Sequence, residues 1–140
     1  MADGPTATQA IMSIASSALR AQQARMRVIA ENLANSDSTA KTPDAEPYRR
    51  QTPVFQPTQI DGGEGVKLAR VAQDQTPFKQ EYQPGHPAAD KNGYVKLPNV
   101  DPLVEALDLK EAQRAYEANL NVIEAARAMQ MRTLDLLKSK

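Results

Sequence analysis

The sequence predicts an α+β fold in which two long terminal α-helices flank a small, irregular, β-rich middle subdomain. Residues 6–35 and 103–137 contain no glycine or proline, whereas eight of the ten prolines and five of the six glycines lie between residues 36 and 100. Aromatic residues make up only 4% of the 140 residues, so alanine and medium aliphatic side chains must supply most of the packing. We therefore expect an N-terminal helix (1–35), a β subdomain with loops (36–100) and a C-terminal helix (101–140).

The N-terminal segment carries the start signal and the periodicity of an amphipathic helix. Thr6 and Gln9 have the spacing of a capping box, in which each side chain satisfies a free backbone N–H at the helix start. Asn32 and Asn35 are expected to hydrogen-bond backbone groups where the helix ends. Between them, one helix face is predicted by residues that recur every three or four positions: Ile11, Ala15, Ala18, Gln22, Met26, Ile29 and Leu33.

The middle region predicts short strands separated by long loops. Strand-forming runs occupy positions 48–55, 66–72, 78–82 and 93–97, and Asn92-Gly93 is a strong turn signal. Because proline lacks a backbone donor, Pro53 predicts either an edge strand or a break in the first run. We expect loops at 41–47 and 57–65, and the second of these contains the glycine-rich run 62–65.

The C-terminal segment predicts a long helix with two apolar stripes. Asp101 is a good N-cap and Pro102 suits the first helical position. The first stripe contains Leu109, Ala112, Tyr116, Leu120, Ile123 and Ala126. The second stripe contains Ala115, Ala118, Val122, Ala125 and Met129. Because the second stripe has no evident partner within the chain, we expect the terminal helices to be assembly elements.

Charge and composition exclude several classes of protein. Seventeen lysines and arginines balance seventeen aspartates and glutamates, so the chain lacks the positive charge of a nucleic-acid binder. The absence of cysteine excludes disulfides, thiolate catalysis and cysteine-based zinc sites. No run of 18 apolar residues occurs, so we expect no membrane insertion. The first five residues lack the features of a secretory signal peptide.

Neither of two candidate chemical motifs supports an enzyme. His86 lies in Pro84-Gly85-His86-Pro87 without a second histidine or a cysteine to share a metal, so we interpret it as a turn residue. The glycine-rich run 62–65 lacks the Lys-Ser/Thr pair that a phosphate-binding loop needs. We expect no catalytic, cofactor-binding or metal site and no small-molecule substrate.

Several segments, taken together, resemble one known family. Residues 29–36, Ile-Ala-Glu-Asn-Leu-Ala-Asn-Ser, resemble the signature of flagellar rod and hook axial proteins. Three further segments are similar to the proximal-rod members of that family: Glu-Pro-Tyr-Arg-Arg-Gln at 46–51, Tyr-Gln-Pro-Gly-His-Pro-Ala-Ala-Asp at 82–90 and Arg-Ala-Tyr-Glu-Ala-Asn at 114–119. The resemblance covers nearly the whole chain in order.

The resemblance implies a structural subunit of the bacterial flagellar basal body, in the proximal rod that spans the periplasm and transmits torque from motor to hook. It implies export by the flagellar type III apparatus without a cleaved signal peptide, which agrees with the missing cysteines. The implied partners are other rod subunits, copies of this chain, and the export apparatus at the base of the basal body. The terminal helices of such proteins pack with those of neighbouring subunits as a helical hairpin or coiled coil.

We predict an assembly interface on both terminal helices, composed of Ile11, Ile14, Ala18, Met26, Ile29, Asn32, Leu33, Asn35, Tyr116, Leu120, Val122, Ile123 and Met129. The apolar positions also suit a helical hairpin within one chain, and one face can pack internally while another packs externally. The alternative function is a cytoplasmic helical adaptor or export chaperone that binds a client helix in a groove. The long proline-rich middle argues against it, because such a protein needs little β insert.

Overall fold

The computed structural model describes Gly4 and residues 6–139, and it confirms the α+β architecture. Helix α1 spans Ala7–Ala34 and helix α2 spans Pro102–Lys138. At 1.5 Å per residue these helices are about 42 Å and about 55 Å long. Four strands lie between them: β1 (Gln51–Ile60), β2 (Gly63–Gln73), β3 (Lys79–Tyr82) and β4 (Tyr94–Leu97). No helix in the described part of the chain combines the length and the apolarity needed to cross a membrane.

Both helix starts follow the predicted capping chemistry. The Thr6 N–H donates to Gln9 Oε1 at 3.0 Å, and the Gln9 N–H donates to Thr6 Oγ1 at 3.2 Å, which is the reciprocal pattern of a capping box. At the start of α2, the Leu103 N–H donates to Asp101 Oδ1 at 3.0 Å. These local bonds satisfy backbone donors that have no partner inside the helix.

Strands β1 and β2 form a two-stranded hairpin, and the predicted loop at 57–65 is wrong. The connection is the two-residue turn Asp61-Gly62, whose φ angles of 49° and 81° suit a hairpin turn. Most of the glycine-rich run therefore lies in β2. Pro53 and Pro57 lie within β1 without breaking it, because each strand of a two-stranded ribbon has an unpaired edge where no N–H is needed.

Strands β3 and β4 pair antiparallel, with Lys79 opposite Leu97 and Tyr82 opposite Tyr94. The Tyr82 and Tyr94 rings meet edge to face at 5.4 Å. Gly93 has a φ of 87°, so the predicted turn at this position is confirmed. His86 lies in the connecting segment, where its N–H donates to the Gln83 carbonyl at 3.1 Å.

The chain divides into two compact units, each assembled from separate parts of the sequence. Unit 1 contains the residues up to Ala24, the hairpin segment Val54–Arg70 and the residues from Glu111 onward. Unit 2 contains Arg25–Pro53 and Val71–Lys110. Alanines dominate the buried positions of unit 1, namely Ala15, Ala21, Ala24, Ala112 and Ala126, together with Ser17. Unit 2 buries Val28, Ile29, Ala88, Val95, Pro98 and Val100 with three polar residues, Asn32, Asn99 and Glu105.

Close approach in unit 1 explains the glycine at position 65. The Ser17 Oγ donates to the Ile14 carbonyl at 2.6 Å and accepts the Val66 N–H at 3.2 Å, so it joins α1 to β2. A Cβ atom on Gly65 would lie 2.7 Å from this Oγ and 2.5 Å from Ile60 Cδ1. Only glycine fits between α1 and the hairpin without displacing these groups.

Candidate assembly surface and a buried polar cluster

In unit 1, the two predicted stripes of α2 differ in exposure. Ala112 and Ala126 of the first stripe are buried, Tyr116 and Ile123 are half-buried, and Leu120 is 37% exposed. In the second stripe, Ala115 is half-buried, whereas Ala118, Val122, Ala125 and Met129 are all exposed, with 44% of Val122 and 56% of Met129 accessible. We call these four residues the outer stripe. Their spacing of three or four residues places them on one helix face that none of the described residues covers.

Apolar exposure continues along the rest of α2. Leu134, Leu136 and Leu137 are each more than half exposed near the C-terminal end of the helix. In unit 2, Leu103, Val104 and Leu107 are exposed at the start of the same helix. Within each unit, exposed apolar side chains on a helix are typical of a surface that packs against another protein.

The predicted interface residues fall into three groups by exposure. The exposed ones are Ile11, Leu120, Val122 and Met129. The half-buried ones are Ile14, Ala18, Met26, Leu33, Asn35, Tyr116 and Ile123. Ile29 and Asn32 lie inside unit 2 with their side chains buried, where they contribute to its interior. Because the half-buried side chains are only partly covered, they leave some surface available for contact with another protein.

Asn32 lies at the centre of a hydrogen-bond network within unit 2. Its Nδ2 donates to the Gln51 carbonyl and its Oδ1 accepts the Gln51 N–H, both at 2.9 Å. The Tyr48 hydroxyl donates to the same Oδ1 at 2.7 Å, and Nδ2 also donates to Glu105 Oε2 at 3.3 Å. Burial, with the charges of Glu31 and Glu105, raises the pKa of the Tyr48 hydroxyl and keeps it a donor.

Arg50 connects two carboxylates of unit 2. Its Nε donates to Glu105 Oε1, and its Nη1 lies 3.3 Å from Asp74 Oδ2, with Asp108 more distant at 3.8 Å. Burial alone lowers the pKa of Arg50, but the hydrogen bonds and charges of Glu105 and Asp74 outweigh it and raise the pKa. Hydrogen bonds from the Thr76 backbone and hydroxyl, then Arg50, lower the pKa of Asp74. The buried Glu105 is thus paired, as a buried carboxylate requires.

Asn99 repeats the role of Asn32 at a second place in unit 2. Its Oδ1 accepts the Arg50 N–H at 2.7 Å, and its Nδ2 donates to the carbonyls of Asp74 and Thr76 at 3.0 and 3.1 Å. The Arg49 Nη1 reaches the same two carbonyls at 3.0 and 3.3 Å. The carbonyls of Asp74 and Thr76 lie in an irregular segment. The side chains of Asn99 and Arg49 supply the hydrogen bonds that a helix or a sheet would otherwise provide. We call Asn32, Tyr48, Arg50, Asp74, Asn99 and Glu105 the polar cluster.

The sequence pattern does not predict this cluster, although half of its six members lie in segments that the sequence singles out. Asn32, Tyr48 and Arg50 lie in the segments that carry the family resemblance. Asn35 donates to the Glu31 carbonyl at 2.8 Å, as predicted for the helix end, whereas Asn32 reaches the backbone of a different segment. The charged members of the cluster neutralise one another, and its polar members are hydrogen-bonded. Such a network makes the fold more rigid.

The histidine takes part in local hydrogen bonds. The Ala88 N–H donates to His86 Nδ1 at 2.9 Å, and His86 Nε2 lies 3.3 Å from Thr39 Oγ1. Within the described residues, no group of three or more histidine, cysteine, aspartate or glutamate side chains is arranged to hold a metal.

Comparison with known proteins identifies the family. Residues 12–40 match the family described as flagella basal body rod protein, and residues 91–136 match the C-terminal family of the flagellar basal body rod FlgEFG proteins. The chain is 47% identical over 132 residues to the flagellar basal-body rod protein FlgC of Agrobacterium fabrum, which covers 93% of this chain and 95% of the relative.

Two further relatives carry the same name. Identity to FlgC of Salmonella typhimurium is 48% over 130 residues, covering 90% of this chain and 95% of the relative. Identity to FlgC of Bacillus subtilis is 39% over 144 residues, covering 91% and 96%. The chain therefore belongs to the FlgC family of flagellar basal-body rod proteins.

Proposed function

We propose that this chain is a structural subunit of the proximal rod of the bacterial flagellar basal body, built into the rod through its terminal helices. The relatives named above are basal-body rod proteins and cover nearly the whole chain. The observation that carries the proposal is the outer stripe of α2, an apolar face that the described part of the chain leaves uncovered. A rod subunit must pack against neighbours on such faces.

The energetics favour intermolecular burial of this face. Fully burying a valine or methionine side chain contributes about 1.5–3 kcal/mol, so covering the exposed parts of several such side chains supports a stable contact. Small residues alternate with larger ones in the outer stripe, and Ala118 and Ala125 allow a second helix to approach closely. We propose that the partners are copies of this chain and other rod subunits, with the export apparatus at the base of the basal body.

The buried polar cluster suits a subunit that transmits torque. It joins the end of α1, the start of β1 and the first turns of α2 within unit 2 through hydrogen bonds and ion pairs. Such a junction resists local shear, because several buried bonds must break together. Export through the flagellar type III apparatus without a cleaved signal peptide belongs to the same proposal, and the absence of cysteine is compatible with that route.

The experiment compares three full-length variants in a strain that lacks its own copy of the gene. Val122→Asp and Met129→Asp place a charge on the outer stripe. Val71→Asp is the matched control, because Val71 lies on β2 and is 42% exposed against 44% for Val122. Motility and the amount of chain in purified hook–basal bodies, measured by mass spectrometry, are the readouts.

We expect each stripe variant to lower incorporation by about tenfold or more, since a desolvated charge on a packed apolar face costs more than 1.4 kcal/mol. The Val71 variant should incorporate as the wild type does. Normal incorporation of both stripe variants would contradict assembly through α2. Recovery of the wild-type chain only from the cytosol would contradict the rod function itself and favour an adaptor.

A further inference from the structure

We propose that adjacent copies of this chain also join through a charged contact, in which Glu117 and Glu124 of one copy dock against Arg20 and Lys67 of the next. The inference rests on the proposed function and names a specific partner surface for it. It uses a different face of α2 from the outer stripe. At 100° per residue, the two glutamates lie about 120° around the helix from that stripe.

Short stretches of one charge sign occur on both helices, although the whole chain is neutral and α2 as a whole carries five basic and six acidic residues. From Ala7 to Ala30, α1 contains three arginines and no acidic residue. In α2, the segment between Arg114 and Arg127 contains two glutamates and no lysine or arginine. Of these residues, Arg20 on α1 and the two glutamates of α2 are exposed, and exposed charges of opposite sign can steer and orient association.

The basic side is a concave surface of unit 1. Arg20 on α1 and Lys67 on β2 line a common cavity of about 260 Å³, whose wall also contains Thr58, Ile60 and Leu68. Both cations are exposed. Within the described residues, neither forms an ion pair. The site therefore offers two unneutralised cations at the rim of a partly apolar recess.

The acidic side is a convex row on α2 in the same unit. Glu117 and Glu124 are exposed and seven residues apart, so they share a helix face about 10.5 Å apart along the axis. Neither carboxylate forms an ion pair within the described part of the chain. Two carboxylates on a convex helix face are complementary in shape and charge to a concave basic surface.

These features favour a second copy of this chain as the partner in the contact. One chain carries both halves of the contact, neither half has an ion-pair partner among the described residues, and their charges are equal and opposite. Because the two patches differ, the contact is heterologous and leaves a free acidic row and a free basic recess at opposite ends of every pair. Repetition of such a contact produces an open helical array when its rotation does not close into a ring, and an open array is the geometry that a rod needs.

The test uses charge reversal in the full-length chain. The basic-patch variant is Arg20→Glu with Lys67→Glu, and the acidic-patch variant is Glu117→Lys with Glu124→Lys. A control with unchanged net charge reverses two exposed charges on the other sheet, Glu81→Lys with Lys96→Glu, and the fourfold variant that combines both patch reversals also keeps the net charge of the wild type. Self-association is measured by sedimentation at about 50 mM and about 500 mM salt, since screening weakens exposed charge pairs. Circular dichroism verifies that each variant is folded, and incorporation into basal bodies is measured in parallel.

We expect each patch variant alone to associate at least about tenfold more weakly than the wild type at low salt, and the control to be unchanged. An equimolar mixture of the two patch variants should recover association, because each then supplies the surface that the other needs. The fourfold variant that combines both reversals should recover it as well, including incorporation into basal bodies.

Three outcomes would overturn the charged contact. These are wild-type association of the single-patch variants, failure of both the mixture and the fourfold variant to recover, or an equal loss in the Glu81/Lys96 control. If the charge variants incorporate normally while Val122→Asp does not, the charged contact is wrong and the rod function stands. If the wild-type chain does not enter basal bodies, the rod function fails and the charged contact fails with it.

Discussion

The side-chain amide of Asn32 hydrogen-bonds both backbone groups of Gln51, accepting the N–H and donating to the carbonyl at 2.9 Å in each case. One side chain thus occupies the place of a neighbouring strand at the first residue of β1. The bonds from Tyr48 and to Glu105 complete its hydrogen-bonding capacity. Asn32 therefore fixes where β1 begins relative to the end of α1 within unit 2.

Asn32→Ala is expected to destabilise the protein by about 3 kcal/mol or more, because it leaves several buried donors and acceptors without partners. Urea unfolding followed by circular dichroism measures the change. Asn119→Ala is the matched control, since Asn119 Nδ2 donates only to the Ala115 carbonyl of its own helix at 2.8 Å. The control should lose well under about 1 kcal/mol. Equal losses in the two variants would contradict the special role of Asn32.

The helices were predictable because their signals are local. The capping box at Thr6 and Gln9 and the N-cap at Asp101 each involve residues within three positions of one another. Long stretches without glycine or proline completed the prediction. The polar cluster was not predictable from spacing, since Asn32 and Glu105 are 73 residues apart and only the fold brings them together.

The β1–β2 hairpin was predicted as a loop over residues 57–65 for a related reason. Glycine is usually a signal for a loop, but Gly65 is required by the approach of Ser17 on α1, which no local pattern encodes. The dipeptide Asp61-Gly62 is a common signal for a hairpin turn. The glycines that follow it favoured the prediction of a loop instead. By contrast, the outer stripe of the proposed assembly surface was predictable from periodicity, and the structure shows that it is exposed.

Gly65→Ala is expected to destabilise the protein by about 1–3 kcal/mol, because the new methyl group would displace Ser17 Oγ and Ile60 Cδ1. Thermal unfolding measures the change. Gly85→Ala is the matched control, since a Cβ there meets no atom within 4 Å and the backbone needs no positive φ. The control should be neutral or slightly stabilising. A neutral Gly65 variant would show that α1 and the hairpin separate more easily than this contact allows.

Asp74 is expected to make stability fall at acid pH. Its pKa in the folded protein is below the ordinary value of 3.8, mainly because Thr76 donates hydrogen bonds to the carboxylate. Its contribution is therefore fully present above pH 3.8 and is lost as the pH falls through the lowered pKa. The free energy of unfolding of the wild type and of Asp74→Asn is measured with urea from pH 6 to pH 2. It should fall less in the variant than in the wild type. Parallel curves would contradict the shift, which an NMR titration of the Asp74 carboxyl measures directly.

Gln22 offers a gain in stability. Gln22 lies on the face of α1 that the sequence predicts to be apolar. Its Oε1 is buried there and has no hydrogen-bond partner among the described residues. An unsatisfied buried acceptor costs about 1–3 kcal/mol, so Gln22→Met, which nearly preserves the volume, is expected to raise the free energy of unfolding by about 1 kcal/mol. Gln23→Met is the control, because the neighbouring Gln23 is exposed and its replacement should change stability by less than about 0.5 kcal/mol. Urea unfolding at neutral pH compares the two variants with the wild type. A stability loss specific to Gln22→Met would mean that the amide is hydrogen-bonded in solution, and a parallel loss of self-association would locate its partner on a neighbouring copy.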